Sequence, residues 1–186
     1  MVRDEKKEGD FDKRSIIESG RNLLNTIYED GEKRPELEGG RAYLLKEERP
    51  EKSFSLALER MRKDGMGYLL TQIKAEKIRK KYNLPEEMIS YHRLGDPSKE
   101  ENFDPSVLVL IAHSITNFLK EKGGTAMIEG VEALLENNTF DKFITFLDNL
   151  VKVTKVQEGI LIINLDPEAL PEEKLGQIEE RLELLP

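Results

Sequence analysis

Two glutamates three residues apart, Glu129 and Glu132, are the side chains of this sequence best spaced to do chemistry. They lie in GGTAMIEGVEALLENNTF (residues 123–140). The stretch reads as a short buried strand closing on a carboxylate, a glycine turn, and a helix carrying the second carboxylate. In parallel α/β sheets, ligands bind outside the carboxyl ends of the strands. A carboxylate fixed there can hold a hydrated metal, and a second one a helical turn on can share that cation or a proton. Both glutamates are therefore candidate ligand-binding residues, with Glu129 the metal candidate. The competing reading is simpler: acids near a helix N-terminus are stabilised there without any ligand.

Other apolar runs also close on polar side chains: Thr71 and Gln72, His92 and Arg93, Asn164 and Asp166. Thr71, His92 and Asp166 join the candidate list. Asp166-Pro167 equally reads as an N-cap followed by proline at the first helical position. His92 could act as a general base, but no serine or aspartate has the spacing to pair with it, which favours a half-buried strand histidine. His113 falls inside a helical pattern. No residue is assigned a catalytic role, so the sequence leans away from an enzyme.

The motifs that are missing constrain function more tightly. The chain contains no G-x-x-x-x-G-K-[ST], and its first strand leads into KEERPEKSF rather than a glycine-rich phosphate loop. It contains no G-x-G-x-x-G and no G-x-S-x-G elbow. A conventional P-loop ATPase, a dinucleotide dehydrogenase and a serine hydrolase are all disfavoured. With no cysteine and only two histidines, a thiolate or histidine-rich metal centre is excluded, leaving an oxygen-ligated ion such as Mg²⁺.

The formal net charge of −8 argues against a chain-wide nucleic-acid or lipid surface. Lys74, Lys77, Arg79, Lys80 and Lys81 form a local basic helix, read as a solvated face. Charged residues reach 35%, and glutamine occurs only at 72, 157 and 177, a hyperthermophile pattern. No apolar run approaches the ~18 residues of a membrane span. The N-terminus lacks an apolar signal core. The expected location is cytoplasmic.

Several elements must position these groups. Residues 1–11 are charged and unpatterned, 12–28 suit an amphipathic helix with Ile16, Ile17, Leu23, Leu24 and Ile27 on one stripe, and EDGEKRPELEGG (29–40) reads as a linker. Residues 1–40 thus form an appendage to an α/β domain over 41–186. Within that domain strands are expected at 41–46, 66–71, 87–94, 125–130 and 159–164. Helices are expected between them, one starting at Asp104-Pro105. A last helix is expected over 171–185, with Leu175, Ile178, Leu182 and Leu185 at a/d spacing. Strands alternating with helices imply a mainly parallel sheet of about five strands in a three-layer α/β/α sandwich, because parallel neighbours need helical crossovers.

The order of motifs resembles an archaeal family, domain of unknown function 835. The pieces are GRAYLLKEERPEKSF, GYLLT with IRKKYNLP, FDPSVLVLIAHSITNFL, IEGVEALLENNTFDKFITFL and ILIINLDPEAL. The resemblance implies a RecA-like sheet that lacks a Walker A loop, used alone or beside sensor and signalling modules. It places Glu129 at the Walker B acid position, where the family more often has Asp. The family's second strand usually ends in a Thr-Arg pair, and Gln72 here removes that charge. The leading expectation is a non-catalytic interaction or regulatory module with no cofactor and with a protein partner or homo-oligomer. The alternative is a degenerate nucleotide site using Glu129, Glu132, Asp166 and Mg²⁺.

Overall fold

The structure, a computed structural model, describes residues 34–99 and 102–186. The expected helix over 12–28, the charged tail before it and the first part of the linker lie outside the described residues. Among the described residues there are seven strands: β1 (Arg41–Lys46), β2 (Gly67–Thr71), β3 (Ile89–Leu94), β4 (Asn102–Phe103), β5 (Thr125–Ile128), β6 (Ile160–Leu165) and β7 (Glu183–Leu185). The helices are α1 (Glu51–Asp64), α2 (Ala75–Tyr82), α3 (Leu108–Lys122), α4 (Val131–Glu136), α5 (Phe140–Val156) and α6 (Glu172–Glu179). The strands form one sheet in the order β4-β3-β2-β5-β6-β1-β7, and every pairing is parallel.

Continuous apolar runs such as ILIINL and TAMI suit the middle of this sheet, because a parallel strand with helices on both faces has no solvent side. Every residue of β2, β5 and β6 is buried. Alternate side chains feed two cores. Leu44, Tyr68, Leu70, Ile128, Leu161 and Ile163 meet α3 and α5 on one face. Tyr43, Leu45, Leu69, Met127 and Ile162 meet α1 and α2 on the other. This is the expected three-layer α/β/α arrangement, with seven strands rather than about five.

Both additional strands are short edge elements. β4 sits in the polar loop after β3, and β7 comes from the segment expected to continue the last helix. There α6 ends at Glu179, and Leu185 pairs with Leu45 of β1. The a/d spacing misled because the open edge of β1 offers hydrogen bonds that a frayed final turn lacks. Leu182 and Leu185 are buried in the two different cores, on opposite faces of the sheet. A single helix lying on one face cannot place both.

The Asp104-Pro105 helix start is also corrected. Asp104 Oδ1 accepts hydrogen bonds from Ser106 N and Ser106 Oγ at 2.8 and 2.7 Å, closing a turn of its own. Helix α3 then begins at Leu108. Leu37, inside the stretch read as linker, is buried against the α1 side, with its carbonyl bonded by Arg60 Nη1 at 3.0 Å.

Candidate functional site

β2 and β5 are neighbours, yet the chain leaves β2 towards β3 and leaves β5 towards β6. In doubly wound sheets such a divergence marks the strand ends where ligands are held. Glu129 follows β5 directly, and its N–H donates to Leu70 O at 2.8 Å, extending the ladder by one residue. Gly130 then turns the chain at φ +86°, where a Cβ would stand 2.8 Å from Gln72 Cγ. The positive φ is what calls for glycine, since the exposed Gln72 side chain can move aside.

The Glu129 carboxylate points at the end of β2. Its Oε2 accepts from the Thr71 hydroxyl and from Gln72 N, the latter at 2.9 Å. Thr71 is fully buried, and its oxygen also accepts from Ile73 N at 3.0 Å. Burial pushes the Glu129 carboxyl above its ordinary value; the Thr71 and Gln72 hydrogen bonds pull it down, and the charge of Glu132 pushes it up again. Glu129 is thus a cross-strand tie between β5 and β2.

Glu132 performs the equivalent task towards β6. Its Oε1 accepts from Asp166 N at 2.8 Å. Asp166 Oδ1 accepts from Glu168 N at 2.9 Å and caps the short 3-10 turn Pro167–Ala169, which is the capping reading of that motif. Thr71, Glu129, Glu132 and Asp166 therefore gather along the ends of β2, β5 and β6, as the sequence suggested. Among the described residues, no three acidic or histidine side chains converge to hold a metal ion.

His92 is not part of this row. It lies within β3 beside Leu70, stacked on Tyr68 at 4.7 Å and tilted against Phe103 at 5.2 Å. Its Nε2 is 3.0 Å from Ser90 Oγ. Burial pushes its pKa down, since desolvation disfavours the charged ring.

Sequence reasoning missed Glu47. Its N–H continues the β1 ladder onto Leu165 O at 3.1 Å. Its carboxylate turns back to accept from Lys52 N at 3.0 Å and Ser53 N at 2.8 Å, the first free amides of α1. Pro50, the N-cap residue, carries no side-chain oxygen for them. Helix N-termini at strand ends are ready-made anion sites. Here the chain's own carboxylate fills that site. The only sequence signal was an acid a few residues ahead of a proline-started helix.

Residues 46–182 match the family described as "Protein of unknown function (DUF835)". The chain belongs to that family. Among solved structures, this DUF835 chain is similar to the flagellar accessory protein FlaH from Methanocaldococcus jannaschii. The identity is 20% and the TM-score 0.60, covering 78% of this chain and 70% of that one. At that identity the likeness shows the fold alone, an α/β fold. No curated protein matches the DUF835 chain. Among the described residues, no helix is long and apolar enough to cross a membrane.

Proposed function

We propose that this DUF835 chain is a non-catalytic, RecA-like α/β module that works through protein–protein contact in archaeal signalling or protein assembly. The observation that carries the reading is Glu47 on the α1 amides. A phosphate seated there would have to displace a carboxylate making two hydrogen bonds. Like charges about 4 Å apart repel by roughly 1–4 kcal/mol at surface dielectrics, which disfavours sharing the site. The Glu129 oxygen that meets Thr71 and Gln72 already accepts two hydrogen bonds, so binding a cation through it would disturb the tie between β5 and β2.

A contact surface is available. Val107, Val109 and Leu110 are exposed at the start of α3, with Val109 77% accessible. Val107 and Val109 line a groove of about 540 Å³ between α3 and α5. Contiguous exposed apolar surface of this kind is what interaction sites present. FlaH, named an accessory protein, is consistent with an assembly role.

Thermal denaturation with and without Mg²⁺–ATP tests the reading, since a ligand that binds only the folded state raises the midpoint by mass action. No rise is expected. Stabilisation that Glu129→Gln abolishes would overturn the proposal in favour of a degenerate Mg²⁺–nucleotide site at Glu129, Glu132 and Asp166.

A further inference from the structure

A second pocket, of about 290 Å³, lies between the β1–α1 loop and α2. Its floor is apolar and aromatic: Pro50, Ile73, Ile78, and the rings of Phe54 and Tyr82 stacked 5.7 Å apart. Arg49, Lys77 and Lys81 stand round its rim. Lys81 pairs with Glu51 at 3.1 Å, whereas Arg49 and Lys77 have no carboxylate partner among the described residues. On a chain of net charge −8, a cationic rim round an apolar hole selects one chemistry: a bulky apolar side chain flanked by carboxylates.

The chain itself carries such a segment. Phe11 stands between Asp10 and Asp12, ahead of the described residues. We propose that Asp10-Phe11-Asp12 docks in this pocket of its own chain, Phe11 on the Phe54–Tyr82 floor and the two aspartates against Arg49 and Lys77.

Connectivity permits it. Leu37 is buried on the α1 side of the sheet, the side that holds the pocket, and is tied to Arg60 of α1. From Arg60 back to Glu51 at the pocket mouth is about 14 Å along the helix. Phe11 precedes Arg34 by 23 positions. That length reaches roughly 75 Å if extended, and 12–28, if helical as its periodicity suggests, would span about 25 Å. Either length covers the distance. The proposal is independent of the nucleotide question, because the pocket shares no residue with Glu129, Glu132 or Asp166.

The sequence has no tryptophan, so Phe11→Trp in the full chain gives a single fluorescent reporter. Docking predicts blue-shifted emission and protection from acrylamide. Both should be lost when Asp10→Lys and Asp12→Lys are added, changes that alter none of the described residues. They should also be lost with Lys77→Glu in the pocket rim. Solvent-exposed emission of the Phe11→Trp chain overturns the proposal. So does a blue shift indifferent to the aspartate changes, which places the segment elsewhere, or one that grows with protein concentration, which places it in a second copy.

Discussion

At the scale of single residues, two strand-end carboxylates bond the backbone, one of them, Glu129, a residue expected to hold a ligand and the other, Glu47, one the sequence did not single out. Glu129 ties β5 to β2, and Glu47 caps α1. Glu129 is held above its ordinary pKa chiefly by burial, so the folded chain binds that proton more tightly than the unfolded one. Stability from this group therefore falls as pH rises from the ordinary glutamate value of 4.5 through the folded pKa. Glu129→Gln, which keeps an acceptor for Thr71 and Gln72, should be at least as stable as wild type at neutral pH. That advantage should vanish as pH falls to 4.5, read as the difference between two denaturation series. Glu47→Ala strips α1 of its cap and should cost about 1 kcal/mol by urea denaturation, with Glu47→Gln costing less.

At the scale of elements, the C-terminal segment shows how tertiary context overrides periodicity. Leu175, Ile178, Leu182 and Leu185 carry a helical spacing, yet the last of them completes a strand on β1. The energetic reason is local. Three residues that leave the helix gain sheet hydrogen bonds and bury Leu185 beside Tyr43 and Leu45. Leu185→Ala should cost about 2 kcal/mol and speed amide exchange in 183–185 while leaving α6 protected. If the segment were helical throughout, the loss of protection would run back into α6.

At the scale of the whole molecule, the parallel sheet buries both faces of β2, β5 and β6, and among the described residues three of the five exposed large apolar side chains, Val107, Val109 and Leu110, stand where α3 begins. Val109→Glu with Leu110→Glu should change folding stability by no more than about 0.5 kcal/mol, since both side chains are exposed. The same pair should abolish self-association or partner capture measured by light scattering, if that face is the contact surface.

The sheet class was legible in the sequence because runs such as TAMI and ILIINL, separated by helical periods, have no other way to leave water. The clustering of Thr71, Glu129, Glu132 and Asp166 was legible for a related reason: in a parallel sheet all strand ends fall on one edge. What each carboxylate bonds was not legible. That depends on strand order, which set β5 between β2 and β6, and on the path of the β1–α1 loop, which folded Glu47 back onto α1. Residue types told where charge would gather; only the tertiary structure decided which backbone amides and which buried hydroxyl would meet it, because those partners come from strands and loops distant in the chain.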